Sequence, residues 1–385
     1  MNLNDTQTEV SLTECPDYSR VNIEQALQNL LEPLGGLEWV KPGMKIAVKA
    51  NLVSCMKPED CATTHPALLC ALVKMIKSKG ASAVIGDSPG GLYTSQYVNR
   101  IYEGTGMRLA EKDGAVLNQN FEVKNAEFLD AKVLKSFTYT SWLDDCDAII
   151  NFCKLKTHGM MGMSAAAKNM FGVIPGIMKP EYHYRFPNLN DFSDMIIDLN
   201  EYFKPALCIV DAVFGMEGNG PTKGSPRHVG LLLASRSPHK LDLVCGDIIG
   251  LSKENVPTLT AAFRRGLIPE DAEKVKVSKS YSGYKIKDYN NIAVKSSMLF
   301  DNNSKLRKAF LKGVLSSRPK LKKSECVGCG KCKNMCPAKA ITINGKKKAE
   351  IDRSLCIRCF CCQEFCPTGA MKVYRTPVAR ILSKN

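Results

Sequence analysis

Two cysteine runs share one spacing: Cys326-x2-Cys329-x2-Cys332-x3-Cys336-Pro337 and Cys356-x2-Cys359-x2-Cys362-x3-Cys366-Pro367. Iron in a 4Fe-4S cluster takes a thiolate at each corner of the cube, and two-residue spacings let three sulfurs of one loop converge on three irons. The fourth cysteine of such a run serves the cluster held mainly by the other run. The expected ligand sets are Cys326, Cys329, Cys332 and Cys366 for one cluster, and Cys356, Cys359, Cys362 and Cys336 for the other. Cys-x2-Cys pairs also hold structural zinc, but zinc asks for four sulfurs at one tetrahedral point, not for two runs of four that end in Cys-Pro. Two 4Fe-4S clusters imply electrons handled one at a time. Cys361, a ninth cysteine lying between two ligands, is expected to point away from the cluster as a free thiol.

The flanks repeat as well, CPAKAITI after the first run matching CPTGAMKV after the second, with a strand expected after each motif and a tight hairpin turn at Asn344-Gly345. This region resembles the bacterial-type two-cluster ferredoxins over its whole length, and all eight ligand positions match. It departs from them in charge, being basic where those proteins are generally acidic. Positive charge near a cluster favours its reduced form and an acidic electron donor or acceptor.

A second constellation lies at residues 151–176, NFCKLKTHGMMGMSAAAKNMFGVIPG. Read as strand, glycine loop and helix opening near Ser164, it would expose backbone N–H groups to an anion, with Lys154, Lys156 and Lys168 adding charge. The candidate substrate-binding residues are Lys154, Lys156, Thr157, Ser164 and Asn169, joined by Asp87 and Asp211 from other strand ends. His158 and Lys168 are the candidate catalytic pair, His158 as proton donor because imidazole is easily poised near neutral pH. The plainer alternatives are solvated lysines, an N-capping Ser164, a hydrogen-bonded structural histidine, and aspartates that only cap turns. Neither Gly-x4-Gly-Lys-Ser/Thr nor Gly-x-Gly-x2-Gly is present, so this is no Walker loop or dinucleotide fingerprint. Lys49, Asn51, His65 and Glu217 also sit where strands end, and His183, with Lys179 in KPEYHY, is expected to close over the site.

Positioning these residues requires alternating strands and helices. The β-rich run at 45–53 (KIAVKANLV) precedes a helix at 66–79, whose Leu68, Leu69, Leu72, Val73 and Ile76 keep helical spacing, and a strand at 83–86. Further strands are expected at 147–152, 206–213 and 230–234, with a helix near Pro238. The pattern predicts an α/β domain over residues 1–300, a mostly parallel sheet with helices on both faces. A basic linker or helix follows at 301–323, then a small α+β ferredoxin-like domain at 324–376 and a tail at 377–385. In an open parallel sheet the carboxyl ends of strands border the ligand crevice, so the scattered polar residues can converge there.

The pieces KANLV, TTHP, GDSPGG, NFCKLKTH, MSAAAKNMFGVIPG, KPEYH and DAVFGMEGNGP, in this order, resemble the domain of unknown function 362 family over roughly residues 40–260. The resemblance implies an architecture of α/β body and two-cluster tail. One departure is RSPHKLDLVCGDIIG, where members have a GDPVALD-like stretch; Asp242 matches the later acid and Ser237 replaces the first. The segment TTHPALLCALVKMIKSKGA is faintly similar to nickel-dependent lactate racemases, which bears on fold alone.

The chain has 385 residues and a formal net charge of +15, and all of the excess positive charge lies after residue 303. Residues 304–323 hold eight basic residues and no acid. Such a block suits an acidic redox partner or peripheral contact with an anionic surface; nucleic acid is not expected, because no aromatic residues interleave the lysines. The opening residues carry no signal-peptide pattern and no stretch has the length of a membrane span, so the expected location is cytoplasmic. The function expected is electron transfer coupled to an oxidoreductase-like reaction on an anionic small molecule. The alternatives are a non-enzymatic electron carrier or scaffold subunit, and a non-redox enzyme with structural clusters.

Overall fold

The computed structural model describes residues 8–292 and 317–374. Much of the basic segment 304–323, with its expected surface contact, and the tail at 377–385 lie outside the described residues.

The body is built on one eight-stranded sheet. Its strands are β1 (Val10–Glu14), β2 (Lys45–Lys49), β3 (Ser82–Gly86), β4 (Val116–Leu117), β7 (Ala148–His158), β8 (Gly162–Ser164), β9 (Leu207–Glu217) and β10 (Ser225–Ser235); β5 (Val123–Glu127) and β6 (Ser136–Thr140) form a separate hairpin. The order is β1-β10-β9-β7-β2-β3-β4, with β8 folded back on β7. From β9 to β4 every neighbouring pair is parallel, while β10 and β1 close one side antiparallel. The sheet is thus mostly parallel.

Strand alternation divides the core. Ile46, Val48, Ile150, Phe152 and Ile209 face α1 (Arg20–Leu31) and α2 (Pro66–Ser78). On the opposite face Cys153, Leu155, Cys208 and Val210 pack under a cluster that includes Leu241, Val244 and Leu259. α2 shows why these elements form where they do. Pro66 opens it, the His65 ring nitrogen accepts from the Ala67 N–H, the five apolar residues at helical spacing are all buried, and Gly80 turns the chain out with φ 75°. Truncating one of them, Leu72→Ala, costs about 2–5 kcal/mol by the usual cavity penalty.

The chain runs outward from β2 through β3 to β4, then returns to place β7 on the other side of β2. That reversal is a topological switch point, where loops from adjacent strands leave in opposite directions and open a crevice at their carboxyl ends.

The cluster module pairs Arg318–Leu321 with Met371–Tyr374 and Ile341–Ile343 with Ala349–Ile351. The first of these strands begins within the segment expected to be linker. In the 344–348 turn Asn344 accepts from the Lys346 and Lys348 amides, and the left-handed residue is Lys347 (φ 53°) rather than Gly345. The internal repeat extends to the backbone: Gly328 and Arg358, Gly330 and Phe360, and Lys339 and Gly369 occupy matching positions of the two runs, all with positive φ. Phe360 adopts φ 63° at an ordinary cost of about 1–2 kcal/mol. Its ring, buried in a body core cluster with Val373 packed against it, offsets that cost.

Candidate functional site

The hairpin of β7 and β8 departs from the expected glycine loop. β7 runs on to His158, residues 159–161 make the turn, and β8 returns with Lys156 opposite Ser164. Only a four-residue helical turn, Ala166–Asn169, follows, and its first amides are already taken. The Asp242 carboxylate accepts from Ala166 N at 2.7 Å and Ala167 N at 3.0 Å, so this terminus is closed to an outside anion. Burial pushes the Asp242 carboxyl up to about 7 against the pull of those two amides. Ser237, the other residue of the departing stretch, caps the helix Pro238–Ile248.

A cavity of ≈ 820 Å³ lies instead at the switch point, lined by the loops after β2 and β3, the end of β7 and the cluster module. Of the candidate residues, Asp87, Lys156, His158, Ser164, Lys168 and Asn169 border it. Lys154, Thr157 and Asp211 do not. Lys154 and Asp211 form a fully buried ion pair at 2.9 Å, with the Tyr18 hydroxyl donating to Asp211 at 2.9 Å and lying 2.7 Å from the Lys154 ammonium. His65 stacks flat on Tyr18, ring centroids 3.6 Å apart. Thr157 donates to the Gly218 carbonyl at 3.0 Å, and the Glu217 carboxylate accepts from Asn290 N.

Around the cavity the polar residues interlock. Lys49 pairs with Asp87 at 2.7 Å, both buried, and Asp87 also accepts from Leu52 N. Gly172 has no room for a side chain, since a Cβ there would lie 2.2 Å from the Asp87 carboxylate. Asn169 accepts from Lys49 and Asn51 and donates to Asn151. Lys156 donates to the Asn51 side chain at 2.5 Å and the Ala62 carbonyl at 2.7 Å, both uncharged, and burial followed by the Lys168 charge brings its ammonium down to about 7. Lys168 lies 4.9 Å over the Phe171 ring, with no hydrogen bond or ion pair among the described residues. Lys179 donates to the Ser88 carbonyl, and burial lowers it too to about 7.

His158 has a defined tautomer. Its Nδ1 accepts from Met160 N at 3.1 Å and Met161 N at 3.2 Å, so a neutral ring carries its proton on Nε2. Burial holds the ring below its usual range, hence neutral. Nε2 lies 3.1 Å from the Glu364 carboxylate of the cluster module. Burial raises that carboxyl, but the His158 contact and the Lys168 charge more than reverse this, to about 2, so Glu364 is ionised.

Glu364, Cys361, Phe365 and Cys366 bring the module into the cavity wall. Gln363 donates to the Asn219 carbonyl and Val373 N to the Asn219 side chain. Gly90 and Gly159 let the module close in, because a Cβ would lie 2.7 Å from the Phe365 ring and 2.8 Å from Val373 respectively. Cys361 is buried and lines this cavity, with its thiol beside that of Cys359. Glu364 escaped notice in the sequence; the available signal was a lone acid between two cysteines of one run.

Two small spaces in the module are each lined by four cysteines. One has Cys326, Cys329, Cys332 and Cys366, and the other has Cys336, Cys356, Cys359 and Cys362. Sulfur-directed amides are present, Ala340 N lying 3.2 Å from Cys336 Sγ. Four thiolates around each space are the donor set that a 4Fe-4S cube takes, one at each corner.

A 4Fe-4S dicluster domain profile matches residues 325–370 and a second matches 261–340; the chain carries two 4Fe-4S clusters and has the capacity for electron transfer. The thylakoid-associated protein sll1697 of Synechocystis sp. is 33% identical over 273 residues, 69% of this chain and 81% of that protein. The lactate racemase apoprotein of Thermoanaerobacterium thermosaccharolyticum superposes with a TM-score of 0.38 at 14% identity, over 64% of this chain and 59% of that one. No described helix is long and apolar enough to cross a membrane. The domain of unknown function DUF362 matches residues 46–247, more than half of the chain, and the protein belongs to that family.

Proposed function

We propose that this chain is an iron–sulfur oxidoreductase acting on an anionic small molecule held in the cavity at the switch point. The observation that carries the reading is that one cavity is walled both by lysines that make no ion pair among the described residues and by Cys366. In this reading Cys326, Cys329, Cys332 and Cys366 would hold one cluster, and Cys356, Cys359, Cys362 and Cys336 the second. The clusters supply single electrons. Lys156 and Lys168 bind and orient the anion, with the Ser164 hydroxyl beside them. Asn169 and the Lys49–Asp87 pair hold the loop ends in place. His158 presents its Nε2 proton on the same wall, and Glu364 stabilises the ring when a proton passes through it.

Electrons reach the module from a protein. Cys329 is exposed, Val327 and Leu355 are more than half exposed, and Lys331 and Lys333 lie just beyond Cys329, a surface suited to an acidic redox partner.

The test is anaerobic. Reduced holoprotein is mixed with small molecules resolved by anion exchange, and cluster reoxidation is followed by electron paramagnetic resonance. One anionic fraction is expected to reoxidise the clusters, and Lys168→Ala to slow this by about tenfold while a viologen acceptor reacts as before. If no fraction acts, or if every acceptor reoxidises wild type and Lys168→Ala alike, the electron-carrier reading replaces this one.

A further inference from the structure

We propose that one corner of the cavity, formed by Ser88, Lys168, Lys179 and His183, is a subsite for a phosphoryl-type dianion. It rests on the reading of the cavity as an anionic-substrate site and names the group by which that substrate is anchored.

Charge on the cavity wall is unbalanced. Asp87 is engaged by Lys49 at 2.7 Å, and the Glu364 carboxylate, 3.1 Å from His158, offsets one of the lysine charges on the wall. Lys156 and Lys179 are bonded only to uncharged oxygens, and Lys168 to nothing among the described residues. Buried cations are ordinarily paired. Among the described residues Lys156, Lys168 and Lys179 make no ion pair, and with the single carboxylate of Glu364 beside them they leave cationic charge on this wall for an anion to meet.

Two further side chains point to the same corner. Ser88 and His183 are 1% and 3% exposed, both border the cavity, and the Ser88 hydroxyl and His183 Nδ1 have no hydrogen-bond partner among the described residues. Buried polar groups left this way cost free energy unless a ligand or water completes them. The four residues are joined through contacts. Lys179 donates to the Ser88 carbonyl and lies one turn from His183 on the helix Lys179–Arg185. His183 stacks on Phe192 and meets the Phe171 edge at 5.6 Å, and Lys168 sits over that same Phe171 ring.

The donor set selects among anions. A phosphoryl group brings about two negative charges and three acceptor oxygens, which a hydroxyl, an imidazole N–H and two ammonium groups can satisfy together. A lone carboxylate brings one charge and only two oxygens to the same four donors. Since such a group fills only a corner of ≈ 820 Å³, the rest of the cavity takes the organic body of the ligand, extending toward His158 and Cys366.

The experiment is calorimetric titration of the anaerobic holoprotein with inorganic phosphate and, separately, acetate. Phosphate is expected to bind one per chain and at least about tenfold tighter than acetate. Lys168→Ala and Lys179→Ala should each weaken it about tenfold, and Ser88→Ala by a few fold, with iron content and cluster spectra unchanged. Lys124→Ala, an exposed residue paired with Asp144, serves as the control that leaves binding intact. Acetate and phosphate binding equally well, both weakened by Lys168→Ala, overturns the phosphoryl assignment and leaves the anionic-site reading standing. Binding of neither, or binding indifferent to both lysine variants, overturns the two together.

Discussion

Removing the Asp211 carboxylate tests whether the Lys154–Asp211 pair is framework or site. Asp211 accepts from four donors: the Lys154 ammonium at 2.9 Å, the Tyr18 hydroxyl at 2.9 Å, His65 N at 3.1 Å and Val213 N at 3.3 Å. Both charged side chains are 0% exposed. Asp211→Ala strands an ammonium with no carboxylate beside it, for which the expected cost is about 3–5 kcal/mol. Lys154→Met is milder, because the carboxylate keeps three donors; about 1–3 kcal/mol is expected. The double variant should cost less than the sum by about 0.5–3 kcal/mol, since the second change removes the charge that the first left unpaired. At about 2 °C per kcal/mol for a body of this size, Asp211→Ala lowers the melting temperature by roughly 6–10 °C. The assay is thermal unfolding of the anaerobic holoprotein, with phosphate titration in parallel. Lys154→Met should bind phosphate within about twofold of wild type, as a residue outside the cavity wall must. Lost phosphate affinity at an unchanged melting temperature would refute the argument and return Lys154 to the site.

Three other perturbations follow from the same geometry. Sulfate keeps two charges across the range, so its affinity should fall as pH rises from about 6 to 8, where Lys156 and Lys179, both near 7, lose their protons; Lys156→Met should flatten the profile, and a flat wild-type curve would contradict it. With no ligand the sign reverses. Both lysines are lowered on folding from 10.5, so their share of stability is least below about pH 7 and grows between there and about 10.5, measurable by chemical denaturation of wild type against Lys156→Met. Gly90→Val drives a branched side chain into the Phe365 ring and should loosen the module, seen as faster hydrogen exchange at residues 360–366 with the iron content retained. Cys336→Ala should cost about half of the roughly eight irons and Cys361→Ala none, by iron analysis.

Local chemistry made the cluster module legible, because ligands two and three residues apart declare themselves in one stretch of chain. Even there the docking role of Phe360, Gln363 and Glu364 was hidden, since these occupy spacer positions between cysteines and meet their partners near residues 158 and 219. In the body, hydrophobic runs and glycine stops marked most of the sheet, and the strand-end rule led to Lys49, Asn51 and Asp87. β7 was read too short because lysines at 154 and 156 look like loop residues; distant partners, Asp211 for one and Asn51 for the other, let them sit inside a buried strand. The closed helix terminus had the same cause, Asp242 being 76 positions from Ala166. β10 was legible as a strand, but its antiparallel pairing with β9 was not.

The shared wall also orders events in the life of the protein. The body is synthesised before the module, and alone it would offer lysines around a cleft open where Glu364, Phe365 and Cys366 should stand. The module in turn is a small fold with a core of a few side chains, dependent on its clusters for shape. A chain that has not received iron would therefore lack part of this wall, and on the proposed reading capture of the anion becomes a late sign of maturation, with iron supply setting how many molecules bind it as well as how many pass electrons.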